Sequence, residues 1–117
     1  MTIIYCHEFR ELKNFSLSDV KEVSGQIVEA VLNIESRDVK HKLTLKSPKV
    51  PSAPSTTVRD LFSDLTPESV DSFKVFGEQY GSDVLWRIEI WKDGTLKDHT
   101  IHCSKIQGLP PKEDKKG

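Results

Sequence analysis

Residues Val84 to Cys103 read as one β-hairpin, and this pattern constrains the fold more than any other in the chain. The run Val84-Leu85-Trp86-Arg87-Ile88-Glu89-Ile90-Trp91 alternates with a period of two, placing Val84, Trp86, Ile88 and Ile90 on one face. Asp93-Gly94 follows, the dipeptide suited to a tight turn in which both central residues take positive φ. A two-residue turn predicts Trp86 opposite Ile101, Ile88 opposite His99 and Val84 opposite Cys103. The apolar sets of the two strands then share a side, and a slip of one residue would separate them. The pattern sets a fold class and names no chemistry.

A chain of 117 residues suits a single domain with one hydrophobic core. Its 17 basic and 18 acidic residues nearly cancel. That balance argues against a nucleic-acid partner, which requires a basic footprint to displace counterions from phosphates. The apolar start Thr2-Ile3-Ile4-Tyr5-Cys6 stops at His7-Glu8, short of a secretory signal, and no stretch approaches the roughly 18 apolar residues of a membrane span. The expectation is a soluble cytoplasmic protein with no membrane partner and with Cys6 and Cys103 as free thiols. A disulfide between them is the disfavoured alternative.

Thr2 to Phe9 reads as a first strand. Ser16-Leu17-Ser18-Asp19 fits a capping box, which places the start of a short helix in an otherwise ambiguous segment from Arg10 to Ser24. Gln26 to Lys46 reads as a hairpin turning at Ser36-Arg37-Asp38, in preference to a helix over Ser18 to Ile34. Val28, Ala30, Leu32 and Ile34 alternate with polar residues, as do Val39 to Lys46. Pro48, Pro51 and Pro54 make Ser47 to Ser55 a loop. Thr57-Val58-Arg59-Asp60 opens a helix over Val58 to Leu65, and Thr66-Pro67-Glu68 opens a further helical turn. Ser72 to Tyr80 reads as a strand with Phe73 and Val75 on one side and Lys74 and Phe76 on the other. The tail 108–117, with Pro110-Pro111 and a charged run, is expected to be disordered.

The ligand-type residues are His7, His41, His99, His102, Cys6 and Cys103, and none has the spacing of a zinc site. A composite of Cys6 and Cys103 brought together by strand pairing is the remaining metal possibility, with two half-buried residues as the preferred reading. Neither a nucleophile elbow nor a phosphate-cradling glycine loop is present. Glu89 opposite Asp98 across the hairpin is a weak candidate for a carboxylate pair with one raised pKa; solvated surface charges are the commoner arrangement. Lys40, Lys42 and Lys46 line one strand face without an interleaved aromatic. That suits an edge strand protected from aggregation better than a base-stacking sheet.

The fold expected is α+β, a single domain over residues 1–107 with an antiparallel sheet of five or six strands and one or two short helices. A mostly-β half-barrel or sandwich is the alternative. The polar side of the hairpin mixes tryptophan and arginine with carboxylates, the composition of binding hot spots. Arg87, Glu89, Trp91, Asp98 and His102 are therefore the candidate contacts of a non-enzymatic protein that occludes another protein, in the general style of inhibitors and toxin-immunity proteins. It would act as a monomer or as a homodimer through an edge strand, with no cofactor and no metal. Two other readings stand beside it. One is a ligand-binding barrel with His99, Trp86 and Cys103 around an apolar cavity. The other is an enzyme with His7 or His102 as general base beside a carboxylate.

Overall fold

The computed structural model describes residues 2–51 and 55–111. Among them eight strands form two four-stranded antiparallel sheets. The strands are β1 (Thr2–Phe9), β2 (Leu12–Val23), β3 (Gln26–Ser36), β4 (Val39–Lys46), β5 (Ser72–Tyr80), β6 (Asp83–Lys92), β7 (Thr95–Cys103) and β8 (Lys105–Gln107). One sheet runs β1-β5-β6-β7 and the other β2-β3-β4-β8. The chain is thus a compact, sheet-rich domain with more strands than the five or six expected, split into two sheets that pack on each other.

The strands form where apolar residues alternate, and the inward sets meet as the core. Ala30, Leu32 and Ile34 of β3 and Leu43 and Leu45 of β4 face Phe73 and Val75 of β5 and Ile88 and Ile90 of β6, all of them buried. Each of these side chains larger than Ala30 stabilises the fold by about 1.5–3 kcal/mol relative to leaving it in water. The helix α1 (Val58–Asp64) starts at the expected capping box, with the Thr57 hydroxyl accepting from the Asp60 amide at 3.0 Å. It inserts Val58, Leu61 and Phe62 at one end of the core. Phe62 there makes edge contacts with Phe15 of β2 at 6.2 Å and Phe73 of β5 at 6.1 Å, so the helix touches both sheets. Pro67–Ser69 forms the further turn, as 3₁₀.

Three segments depart from expectation. Residues 12–23 are a strand, not the start of a helix. Ser16 and Ser18 lie opposite Asn33 and Val31, and the Asn33 amide donates to the Ser18 hydroxyl at 2.9 Å. The hairpin register is also changed. Lys92 pairs with Thr95 and Trp91 with Leu96, as a two-residue turn requires, but beyond a bulge Ile88 pairs with Ile101 and Trp86 with Cys103. Lys97, Asp98 and His99 together span the place of Ile90 alone. Because the slip is two residues, each side chain keeps its face. Finally, the chain past Gln107 makes contacts with the rest of the domain. Leu109 packs on the core and the Tyr5 hydroxyl donates to the Pro110 carbonyl at 2.7 Å. The rest of the expected disordered tail, 112–117, lies outside the described residues, as does Pro54.

The sheets are joined where the chain changes layer. β7 passes into β8 at Ser104, whose amide donates to the Lys46 carbonyl at 3.0 Å. Lys49 in the proline loop exchanges two backbone hydrogen bonds of 2.9 Å with His102, so the loop lies along the β7 edge. β4 pairs along its length with β3 and with β8 over Thr44–Lys46, so the lysine-bearing strand is only partly an edge.

Candidate functional site

The outward face of the β1-β5-β6-β7 sheet holds most of the unusual chemistry. Strand parity and register arrange it in rows. Ile3, Glu78 and Leu85 lie side by side; so do Cys6, Phe76, Arg87 and His102; so do Glu8, Lys74, Glu89 and Thr100. Ser72, Trp91 and Leu96 complete the face nearest the hairpin turn.

Arg87 is the hub. Its guanidinium lies over the Phe76 ring, 4.3 Å from the centroid. Its Nη1 is 2.5 Å from Glu78 Oε2 and its Nε is 3.1 Å from Glu89 Oε2. Glu89 also accepts from the Trp91 indole N–H at 3.1 Å, and the Lys74 ammonium sits 3.9 Å from the centre of the Trp91 ring. Glu78 accepts in addition from the Tyr80 hydroxyl at 3.2 Å. Although these groups lie on an outer face, the Arg87, Glu78 and Glu89 side chains are only 23%, 13% and 14% exposed. Charge-assisted bonds to Arg87 hold the Glu78 carboxyl below its ordinary pKa. Burial, with the Arg87 and Lys49 cations, holds the His102 imidazole below its own. Neutral pH therefore leaves Glu78 charged and His102 neutral.

Around this ordered centre the surface is apolar. Ile3, Tyr80 and Leu85 are exposed at 50%, 43% and 50%, and Leu96 beside Trp91 at 41%. The arrangement is a set of exposed apolar side chains around a held arginine and tryptophan.

Of the five residues singled out from the sequence, Arg87, Glu89, Trp91 and His102 come together here. Asp98 does not. The bulge moves it out of line with Glu89, whose partner is Thr100, and Asp98 instead borders a hollow of about 120 Å³ with Leu61, Leu65, Ile90, Lys97 and His99. Glu89 and Asp98, the weak candidate for a carboxylate pair, are therefore not cross-strand partners. Sequence reading missed Ile3, Phe76, Glu78 and Tyr80. Their parity was visible, but their adjacency to Arg87 comes from the β1-β5-β6 pairing.

The two cysteines separate in space. Cys6 is exposed on β1 and Cys103 buried on β7, at opposite edges of one sheet, and both are free, so neither a disulfide nor a composite metal site joins them. Trp86 and Cys103 are cross-strand partners, with Trp86 bordering a surface hollow beside Ile4 and Ile106, while His99 borders the separate hollow beside α1. Of the two candidate general bases, His7 faces inward opposite Val75, in ring contact with Phe9 at 4.6 Å, and His102 lies on the outward face, where the Glu78 carboxylate acts on it electrostatically. Among the described residues no cluster of histidine, cysteine and carboxylate side chains is arranged to hold a metal ion, and no helix is long and apolar enough to cross a membrane. Comparison with protein-family models, curated proteins and solved structures finds no match to this chain.

Proposed function

We propose that this chain is a small cytoplasmic, non-enzymatic protein that binds another protein and neutralises it by occluding its surface, as inhibitors and toxin-immunity proteins do. The binding face is the outward side of β1-β5-β6-β7. The observation that carries this reading is the encirclement of Arg87: an arginine already oriented by two carboxylates and an aromatic ring, rimmed by exposed Ile3, Tyr80 and Leu85. Side chains fixed before association lose little rotamer freedom on binding, and exposed apolar neighbours contribute burial when a partner covers them. Arg87, Glu89, Trp91 and His102 form the polar centre of the proposed contact, with the apolar residues as its surround. Asp98 lies apart from it. The balanced charges of the face favour a partner of mixed polarity over a strongly acidic or basic one.

The test begins with partner recovery from the native host on immobilised protein, followed by titration of the purified partner. Trp91→Ala and Leu85→Asp should each weaken binding by about tenfold or more. If Trp91→Ala, Leu85→Asp and Glu89→Lys all leave the affinity unchanged, this face is not the contact.

A further inference from the structure

Tyr5, Gly77 and Trp86 lie in one row across β1, β5 and β6, on the inward side of the sheet. With no side chain at Gly77, the Trp86 ring lies over the glycine, and its centroid comes to 5.7 Å from that of Tyr5. The two rings make an aromatic shelf, and the strap seated on it is Leu109-Pro110-Pro111, which follows β8. The Tyr5 hydroxyl donates to the Pro110 carbonyl at 2.7 Å, and Leu109, like both rings, packs against the core. Proline has no N–H, and a residue before proline is pushed to extended backbone. A Leu-Pro-Pro segment therefore offers apolar surface and carbonyl acceptors along a pre-set path. Aromatic-lined grooves are the surfaces that take such segments. Gly108 sets the path of the strap: its φ is +89°, and a Cβ there would collide with the Lys42 carbonyl oxygen.

We propose that the Tyr5–Trp86 shelf is a binding site for a proline-rich segment of a partner protein, and that Leu109-Pro110-Pro111 is its built-in competing cover. The chemistry of the occupant is read from the strap itself: an aliphatic residue leading two prolines, with a backbone carbonyl accepting from Tyr5. The apolar surface is also longer than the strap. Trp86 borders a hollow of about 580 Å³ with Ile4, Leu85 and Ile106, in which Ile4 is 36% and Leu85 50% exposed. A partner segment that runs on into this hollow buries apolar area that the strap leaves in water, and so outcompetes it. The strap acts as a tethered competitor, which lowers the apparent affinity for the partner without abolishing it. The shelf is on the side of the sheet away from the Arg87 cluster, and the site stands whether or not that outward face binds a partner.

The probe is a synthetic peptide with the sequence of residues 107–112, titrated into the full chain and followed by amide and indole chemical shifts. Gly108→Val, which the Lys42 carbonyl cannot accommodate, releases the strap and should bind the peptide about tenfold or more tighter than the parent chain. Leu109→Ser withdraws the apolar anchor of the strap by a different route and should do the same. Shifts should centre on Tyr5 and Trp86. Adding Tyr5→Phe to either release variant should weaken binding about fivefold, the loss of one hydrogen bond. A peptide with alanine in place of both prolines should bind about tenfold more weakly, because it is no longer held extended. Amide exchange of β5 and β6 confirms folding. Absence of binding up to millimolar peptide in a folded release variant overturns the proposal and leaves the strap a structural clasp. Equal affinity for parent and release variants, or for the proline and alanine peptides, overturns it too. So does unfolding of both release variants, which would make the strap an integral part of the fold.

Discussion

Arg87 Nη1 meets Glu78 Oε2 at 2.5 Å on a diagonal of the β5–β6 ladder; the residue directly opposite Arg87 is Phe76. The guanidinium lies across the aromatic ring and reaches past it, so one side chain ties β5 to β6 through a stack and a charge-assisted bond together. Glu89, two residues along β6, fixes its other edge. Arg87→Met removes these bonds and keeps much of the apolar stem. It should cost about 1–2 kcal/mol in urea denaturation, the value of such bonds reduced by partial solvent screening. A loss under about 0.3 kcal/mol would mean that water replaces the network without cost.

The same contact gives a pH signature. Hydrogen bonding to Arg87 lowers the folded-state pKa of Glu78. A lowered carboxyl pKa contributes stability that is complete above the unfolded-state value and is lost as pH falls through the folded-state value. Glu78→Gln should therefore be less stable than the parent at pH 7, and the difference should shrink as pH falls below about 4. Denaturation midpoints at pH 7 and pH 3 measure this. A gap of equal size at both would show that the glutamine disturbs packing and that ionisation contributes nothing.

The hairpin and the β3–β4 pairing were legible because alternation with a period of two meets a turn signal, β5 because of its alternation, β1 because of its β-branched and aromatic residues, and the helix because of its capping box. Arg37, Asp38 and Asp93 take the positive φ values that such turns demand. β2 was illegible for a physical reason. Its bulges break the alternation, and the S-x-x-D spacing at Ser16 that resembles a helix cap lies in a strand. The bulge opposite Ile90 likewise hid the displacement of Asp98, since no residue type in Lys97-Asp98-His99 announces it. At the candidate site the β6 residues were readable as one face. Glu78, Phe76 and Ile3 were not, because sequence parity places a residue on a face without saying which strand lies alongside.

The two thiols should differ sharply. Cys6 is exposed, whereas Cys103 is 5% exposed and burial pushes its thiol pKa up to about 12. The thiolate is the reactive species, so the native protein should take up one maleimide quickly, at Cys6, and a second only in denaturant. Mass spectrometry with peptide mapping reads the outcome. Modification of Cys103 at a rate comparable to Cys6 in native buffer would show that the β7–β8 corner opens readily.

Beyond Gln107, among the described residues, the Tyr5 hydroxyl donates to the Pro110 carbonyl at 2.7 Å. Leu109 packs beside it on the core. Tyr5→Phe keeps the ring against Trp86, whose centroid is 5.7 Å away, and deletes only the donor. The expected cost is about 1 kcal/mol, with faster proteolysis near residues 108–111 and unchanged amide protection in β5 and β6. Loss of protection throughout the sheet would assign Tyr5 a larger structural part than this one bond.

Gly77 is the inward residue of β5 between Tyr5 of β1 and Trp86 of β6. A Cβ at Gly77 would stand 2.8 Å from the Trp86 ring, so the glycine creates the space in which the indole lies across the sheet. Its backbone is not in the left-handed region, which means that Gly77→Ala tests the close approach alone. If Trp86 must shift, the substitution should destabilise by about 1–3 kcal/mol. Trp86→Leu on its own should also destabilise, by loss of buried ring area. Together the two should cost less than the sum of the single changes, since the smaller side chain leaves room for the methyl. Strict additivity in urea denaturation would show that the ring and the backbone at Gly77 are not in competition for the same volume.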